Sequence, residues 1–245
     1  MNCDERKMKN ASKFATKLKS VLARFYRTFL FKNKPKIFCI SLQRTGTTST
    51  GQFFKDHGYP VAPYGVALAN SWTMNYWRGD YESIFRSYDF KTSLVFEDDP
   101  WWLNDFYKVL YHRFPDSQFI LLERDADKWF SSMVSHSNGK TLGNTHLHCA
   151  HYQRLKEFHE TTAGYENMYK SVADSALPLG EAQREHYTSF YTIRNKEIKL
   201  FFQHHDINRL FNADLNDGDL WQKMGQFFHV NVQGGYNVYL NKSAG

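Results

Sequence analysis

The sequence predicts an α/β fold in which a mostly parallel central sheet is flanked by helices, giving three layers. Strand-like apolar runs alternate with helical stretches along most of the 245 residues, and strands separated by helices pair in parallel. One run, residues 119–122, is continuously apolar, as expected for a strand covered on both faces. A chain of this length can bury one sizeable core, so we expect one domain.

The elements follow one another without an internal repeat or a low-complexity linker. A strand begins at Ile37 and passes through a tight turn into a helix that continues to Asp56, with two phenylalanines available to the core. Prolines, glycines and clustered acids mark the later boundaries. The sequence predicts an extended segment at 59–63, helices at 70–88, a strand at 94–96, a helix at 101–112, a turn at 114–117, a strand at 118–124, a polar loop at 138–144, helices at 147–172 and 180–204, a strand at 209–212 and a helix at 220–228.

The turn after the first strand, Gln43-Arg-Thr-Gly-Thr-Thr-Ser49, predicts an anion site. A turn that leads into a helix presents unpaired backbone N–H groups and the positive end of the helix dipole, to which this turn adds a cation and hydroxyls. It is not a Walker A loop, because Thr47 stands where the lysine would follow the last glycine and the cation, Arg44, precedes that glycine. A plain helix N-cap formed by Ser or Thr is the alternative interpretation.

The chain resembles the sulfotransferases that use 3′-phosphoadenosine 5′-phosphosulfate (PAPS). A strand followed by Arg44-Thr-Gly-Thr-Thr48 is similar to the loop that binds the 5′-phosphosulfate in that family. A second motif follows in the expected order, since a strand ends at Arg124 and Ser132 stands eight residues later on a predicted helix. The resemblance covers about residues 35 to 230 and is greatest to the branch that carries Arg as the loop cation.

The resemblance implies a P-loop-type fold, PAPS as the donor and a bipartite nucleotide site. Residues 45–49, that is Thr45, Gly46, Thr47, Thr48 and Ser49, would hold the 5′-phosphosulfate together with Arg44, while Arg124 and Ser132 would hold the 3′-phosphate. Arg44 would also stabilise the charge that develops on the leaving phosphate. The implied activity is transfer of the sulfuryl group to a hydroxyl of a small molecule, lipid or saccharide. A nucleotide or metabolite kinase on the same fold and a PAPS-binding protein without turnover are the alternatives.

A general base for the acceptor is predicted in the acidic cluster Glu97-Asp98-Asp99, which follows a short strand. Adjacent carboxylates raise one another's pKa, which suits a base that works near neutral pH. The resemblance favours Asp98, two residues before a proline, and Glu97 and Asp99 stay open. The alternative is that Asp98 or Asp99 caps a helix at Trp101. His136 is a lesser candidate for which a position facing solvent is expected.

Aromatic and histidine residues elsewhere in the sequence are candidates for the walls of such a site. His146, His148, Cys149 and His151 fit no structural zinc pattern, so no metal is predicted and a polar face near the acceptor opening is expected instead. Trp129 could wall the nucleotide site. Trp72, Tyr76 and Trp77 lie between the first helix and the acidic cluster, where an acceptor pocket could form.

Positive charge is concentrated in the leading segment. Residues 1–36 contain eleven Lys or Arg and two acids, a net charge of +9, whereas the remainder has 20 basic and 23 acidic residues, a net charge of −3. We therefore divide the chain into a basic amphipathic extension, 1–34, and an α/β domain, 35–245. The extension could lie on an anionic membrane, pack against the domain, stay partly disordered or contact another partner. Its apolar residues recur at helical spacing: Phe14, Leu18, Val21, Leu22, Phe25 and Phe29.

The composition of the chain also limits which partners and which cellular compartment are expected. The basic segment lacks a recognised nucleic-acid motif, so no nucleic acid is expected. Three cysteines cannot form a disulfide framework. Neither a secretory signal nor a membrane span is visible, so a cytoplasmic protein, with membrane contact at most at its periphery, is expected. Acceptor identity and oligomeric state stay open.

Overall fold

A computed structural model describes residues 22, 25–26, 28–31, 33–161 and 177–240. Its centre is a five-stranded parallel sheet with the strand order β2-β3-β1-β4-β5. The predicted fold class is confirmed. The strands are β1 Ile37–Cys39, β2 Val61–Ala62, β3 Val95–Phe96, β4 Gln118–Glu123 and β5 Leu210–Asp214.

The helices occupy both faces of this sheet. Short 3-10 helices lie at Glu181–Gln183 and Ile207–Arg209, and the described residues 22, 25–26 and 28–31 are helical. The α-helices are α1 Thr47–Asp56, α2 Tyr64–Ala69, α3 Trp72–Trp77, α4 Tyr81–Arg86, α5 Tyr88–Thr92, α6 Phe106–Arg113, α7 Ala126–Ser137, α8 Thr145–His151, α9 Leu155–Thr161, α10 Arg184–His205 and α11 Leu220–Phe228.

Alternate strand residues supply two apolar cores, one on each face of the sheet. Phe38 belongs to the larger core with Trp101 and Phe119. Ile37 and Cys39 point to the opposite face, where α1 and α11 pack. This alternation follows from the two-residue period of a strand, and burial on both faces explains why β1 and residues 119–122 of β4 are apolar throughout. The sheet is therefore fixed as the middle of three layers.

The sheet order determines where the molecule has a crevice. The chain adds β2 and β3 on one side of β1 and then β4 and β5 on the other, with Phe38 in register with both Phe96 and Phe119. The order therefore reverses at β1, and the carboxyl ends of parallel strands beside such a reversal form a crevice. The loops that leave β1, β3 and β4 meet there.

Three helix predictions were wrong in their extent. The helix expected at 101–112 begins at Phe106, because residues 101–105 form turns that lead to an N-cap at Asp105. The stretch 70–88 is divided among short helices, with Ser71 in a left-handed conformation (φ 54°) and Gly79 at φ 73° between them. The expected helix at 147–172 is interrupted at Gln153, which is also left-handed (φ 59°). Its later part lies outside the described residues.

Candidate functional site

The turn between β1 and α1 is held by backbone conformation rather than by side-chain caps. Gly46, the N-cap residue of α1, has φ 86°, and a Cβ there would lie 2.6 Å from Leu215 Cδ1. Arg44 is also left-handed, with φ 67°. A non-glycine residue held in this region is uncommon and costs free energy, which points to a functional constraint on the turn.

The side chains of the turn divide into inward and outward groups. The Thr45 hydroxyl is buried and donates to the Leu42 carbonyl, so only the backbone of Thr45 faces the helix terminus. Ser49 Oγ accepts from the backbone N–H of Leu240 at 2.9 Å. Within residues 33–161, α1 has no side-chain cap hydrogen bond and no acid in its first turn. The positive end of the helix dipole is therefore open to an anion.

Two arginines and one serine from separate motifs converge beside this turn. Arg44 Nε donates to Ser132 Oγ at 3.1 Å, and an Arg124 guanidinium nitrogen donates to the Arg44 carbonyl at 3.3 Å. Partial burial, and then the nearby charge of Arg124, lower the pKa of Arg44. The two guanidinium charges repel each other, so a shared anion would stabilise both.

Neighbouring aromatic residues fix the arginines in place. The backbone N–H of Arg124 donates to Tyr191 Oη at 2.9 Å, and Trp129 Nε1 donates to the Gln43 carbonyl at 3.0 Å. Trp129 and Tyr191 stack with their ring centroids 4.5 Å apart. Trp129 is fully buried and supports the turn from beneath. It does not line either cavity described below.

A cavity of about 270 Å³ opens over this convergence, and we call it the basic cavity. None of its described lining residues is acidic, and the Nε atom of Arg124 is buried there without a partner among the described residues. The arrangement fits a polyanion. Its lining residues are Arg44, Gly46, Thr47, Thr48, Ser49, Arg124, Ser132, Leu215, Asn216, Tyr239 and Leu240.

Acidic residues follow β3 at the same edge of the sheet. Asp98 adopts a left-handed conformation (φ 64°), and its Oδ1 accepts from the Asp99 backbone N–H at 2.9 Å and from Trp102 Nε1 at 3.5 Å. Neither aspartate caps the next helix, because α6 begins only at Phe106. Glu97 turns away and packs against α1, where a Cβ on Gly51 would lie 2.4 Å from Glu97 Oε2.

Burial raises the pKa of all three carboxyl groups, and the charge of Asp98 raises the pKa of Glu97 and Asp99 further. Burial, followed by the charge of Asp98, raises the pKa of Glu97 to about 8. The same two causes raise the pKa of Asp99 well above its usual range. Burial also raises the pKa of Asp98, although its two hydrogen-bond donors favour the ionised form. Asp98 is therefore the member of the cluster best able to hold the negative charge.

A second cavity, of about 520 Å³, contains Asp98 and Asp99, and we call it the acidic cavity. It shares Arg44, Thr47 and Thr48 with the basic cavity, so the two meet at the turn. Glu97 does not line it. The other lining residues are Gln43, Tyr64, Ala67, Leu68, Ser71, Thr73, Met74, Trp77, Trp102, Leu103, His136, Leu142, Gly143, Asn144, Leu147, His148, His151 and Tyr152.

The histidines of the α8 segment form part of this wall. His148 lies 2.7 Å from Tyr187 Oη, and burial followed by the charge of Arg154 lowers its pKa to about 3. His151 is fully buried beside Asn104, and its pKa is lowered well below the usual range by burial and then by Arg194. In the part of the chain that the structure describes, no group of three His, Cys, Asp or Glu residues could hold a metal.

The family of the chain can now be stated from comparison with known proteins. Residues 36–236 match the family model described as a sulfotransferase domain. The chain belongs to the sulfotransferase family. No curated protein matches it. The family assignment was predicted from the two motifs, and it is confirmed, although the match does not distinguish the branch that carries Arg as the loop cation.

Most predicted site residues of this sulfotransferase line the two cavities of this crevice. The residues of the turn, with Arg124 and Ser132, surround the basic cavity apart from Thr45, and Asp98 lines the acidic one. Trp77 lines the acidic cavity as expected, whereas Trp72 and Tyr76 are buried in the core. His136 is exposed as expected but also stands at the cavity rim.

Sequence reasoning missed the contribution of the segment after α11. Tyr236 Oη donates to Asp56 and Trp221 Nε1 donates to Asn237 Oδ1, which holds this segment along α1. Tyr239 and Leu240 consequently reach the basic cavity. The segment has no regular secondary structure and no motif, so its glycines and aromatic residues gave no usable signal.

Proposed function

We propose that this sulfotransferase moves the sulfuryl group from PAPS to an acceptor hydroxyl. The observation that carries the proposal is the junction of two unlike cavities at one anion-binding turn. The basic cavity suits a nucleotide with phosphate at both ends, and the acidic cavity suits a neutral hydroxyl that must lose a proton. Arg44, Thr47 and Thr48 belong to both cavities, so a group held between them faces both sites.

The residues present fit the proposed donor. Thr47, Thr48 and the α1 N-terminus would hold the 5′-phosphosulfate, while Arg124 and Ser132 would hold the 3′-phosphate. The unpartnered, buried Arg124 Nε and the absence of acids among the described lining residues support this division. PAPS, when bound, supplies the activated sulfuryl group.

Two residues of the chain would then stabilise the leaving group and accept the proton of the acceptor hydroxyl. Arg44 presents a planar guanidinium to the oxygen that gains charge as the sulfur–oxygen bond to the phosphate breaks. Asp98 accepts the proton of the acceptor hydroxyl as the new sulfur–oxygen bond forms. The products are a sulfate ester and adenosine 3′,5′-bisphosphate. The proton stays on Asp98 until it is released to solvent. Most of the remaining rate enhancement comes from positioning in the two cavities.

Nucleotide preference separates this proposal from a kinase. Isothermal calorimetry should show that adenosine 3′,5′-bisphosphate binds more tightly than ADP with magnesium, because the second phosphate engages Arg124 and Ser132. A preference for ADP would contradict the proposal. Arg44→Ala should abolish transfer of labelled sulfate, and full activity in that variant would contradict the role of the turn. Binding without any turnover in the unaltered chain would instead identify a nucleotide-binding protein.

We also propose a reducing, cytoplasmic location. Cys39 is a buried thiol, and burial raises its pKa to about 12, which keeps it protonated. Among the described helices, none is long and apolar enough to cross a membrane.

A further inference from the structure

The walls of the acidic cavity carry information about the acceptor. On one side stand apolar side chains from α2, α3 and the loop after β3, among them Leu68, Met74, Trp77 and Trp102. Leu68 is 58% exposed and Tyr64 is 49% exposed at the rim. Large apolar side chains left open around a concave site mark a surface that an apolar ligand covers. The acceptor should therefore bring an apolar body to this wall.

The floor of the same cavity is polar and incompletely paired. Two buried atoms of its lining residues have no partner among the described residues: Asp99 Oδ1 and His151 Nε2. His151 and Tyr152 are almost entirely buried. Buried polar atoms without partners cost free energy, so a site that keeps them is built for a polar group supplied from outside.

The charges around the cavity limit what that polar group can be. Asp98 and Asp99 are the acids of the described lining, and Arg44 is its one cation, which the proposed donor already engages. The three histidines of the wall have pKa values lowered by burial, and they remain neutral near pH 7. A carboxylate or sulfate on the acceptor would enter beside the aspartates with no cation to compensate it.

We propose that the acceptor is an amphipathic alcohol without negative charge, with an apolar chain or ring against the Leu68 wall and its hydroxyl on the aspartate floor. This inference rests on the proposed sulfotransferase function and narrows it. Acidic saccharides and hydroxy acids should therefore be poorer acceptors than neutral alcohols of the same size. The cavity volume, about 520 Å³, accommodates a body the size of a medium-chain alcohol.

A matched set of acceptors tests the proposal on the full chain. Labelled sulfate transfer from PAPS is measured with 1-octanol, 8-hydroxyoctanoate and 8-amino-1-octanol, which share one chain and differ in terminal charge. We expect kcat/KM for 1-octanol to exceed that for 8-hydroxyoctanoate at least about tenfold. Leu68→Asp should lower kcat/KM for 1-octanol about tenfold through KM. Leu200→Asp, the same change at an exposed helical leucine outside both cavities, should leave it unaltered.

A binding measurement with adenosine 3′,5′-bisphosphate distinguishes failure of the acceptor proposal from failure of the proposed function. If adenosine 3′,5′-bisphosphate binds but 8-hydroxyoctanoate or an acidic saccharide is used as well as 1-octanol, the acceptor proposal is overturned while the proposed function stands. An unchanged KM in Leu68→Asp overturns the assignment of the apolar wall. If the bisphosphate does not bind, the proposed function fails and the acceptor proposal fails with it.

A separate observation concerns the segment that precedes the sheet. Leu22, Phe25, Tyr26 and Phe29 lie on one face of a helix, and Phe25 and Phe29 are 72% and 86% exposed. Residues at spacings of three and four share a helix face, so these side chains form one exposed apolar stripe. The stripe lies in the segment 1–36, whose net charge is +9.

We also infer that this stripe docks on an anionic membrane surface. Apolar insertion and attraction to acidic lipids reinforce each other, and neither alone gives stable binding. Aromatic side chains that stay in water on a strongly basic segment satisfy both requirements. These four side chains are exposed in the described part of the segment.

Vesicle co-sedimentation of the full chain tests the docking. We expect binding to phosphatidylcholine vesicles that contain phosphatidylserine and at least about tenfold weaker binding to phosphatidylcholine alone. Phe25→Ser with Phe29→Ser should reduce binding to the acidic vesicles about tenfold or more. Ile193→Ser with Ile207→Ser, at two other exposed apolar positions, should not reduce it. Equal binding to both vesicle types, no binding, or binding unaffected by the phenylalanine changes would overturn the inference.

Discussion

Asp98→Asn is the most informative change, because it separates catalysis from folding. The amide keeps the Oδ1 atom that accepts from the Asp99 backbone at 2.9 Å, so the loop geometry should persist. What disappears is a buried negative charge and the ability to take a proton. The charge of Asp98 is also one cause of the raised pKa of Glu97 and of Asp99.

The expected size of the effect follows from this coupling. A positioned general base contributes roughly 10²- to 10⁴-fold to rate, or about 2.7 to 5.4 kcal/mol. Asp99 lines the same cavity, and its pKa falls once the neighbouring charge is removed, so it can partly replace Asp98. We therefore expect a loss of about 10²-fold in kcat/KM for Asp98→Asn and about 10⁴-fold for the double variant with Asp99→Asn.

Three measurements check the prediction. Transfer of labelled sulfate to 1-octanol gives kcat/KM, calorimetry with adenosine 3′,5′-bisphosphate should show unchanged affinity, and thermal unfolding should show a melting temperature that is equal or higher. The free energy of unfolding should stay the same or rise, because the variant no longer buries this charge. Glu97→Gln, at the carboxyl that packs on Gly51 outside the cavity, is the matched control, with activity expected within about threefold of the unaltered chain.

Three outcomes would refute the reasoning about the base. Near-normal activity in Asp98→Asn would show that its carboxylate takes no proton. A loss in Glu97→Gln as large as that in Asp98→Asn would move the base away from the cavity lining. A loss of donor affinity in Asp98→Asn would place the defect in the turn rather than in proton transfer.

Three further predictions follow. Arg124→Ala should weaken binding of adenosine 3′,5′-bisphosphate about 10- to 100-fold, because a charged hydrogen bond is lost, and it should change 5′-AMP binding little. Equal losses for both nucleotides would contradict the assignment of Arg124 to the 3′-phosphate. Gly46→Ala should destabilise the fold by about 1–3 kcal/mol in urea unfolding and more than Gly58→Ala, which shares a positive φ (86° against 82°) but meets no atom within 4 Å; equal costs would show that Leu215 simply moves aside. Because Glu97 has a pKa of about 8 when folded, above its unfolded value, stability should decline from pH 5 to pH 8, and Glu97→Gln should flatten that decline in melting temperature against pH.

The sequence was most informative where local pattern and tertiary role coincide. The apolar strands β1 and β4 and the helix at 220–228 were predicted because burial on both faces, or on one helical stripe, leaves a clear periodicity. The turn at 43–49 and the pair Arg124 and Ser132 were recognised because their chemistry is compact in sequence. Their spatial proximity then follows from the parallel sheet.

Other features depend on contacts between distant residues and left little local trace. The late start of α6 at Phe106 depends on a left-handed Asn104 (φ 36°) that bonds to Tyr76 and His151. The choice of Asp98 over Glu97 depends on which carboxyl faces the cavity, a difference that adjacent acids cannot reveal by spacing. Likewise, no pattern in residues 229–240 indicates that they reach the turn.

The bond between the Leu240 backbone and Ser49 has a consequence for how the protein is made. A chain leaves the ribosome in order, so the strand and turn that define the anion site are available long before the segment that completes its wall. We expect a nascent chain that ends before residue 239 to fold its sheet yet to hold nucleotide weakly. Nucleotide binding would thus begin only after the segment through Leu240 has been synthesised.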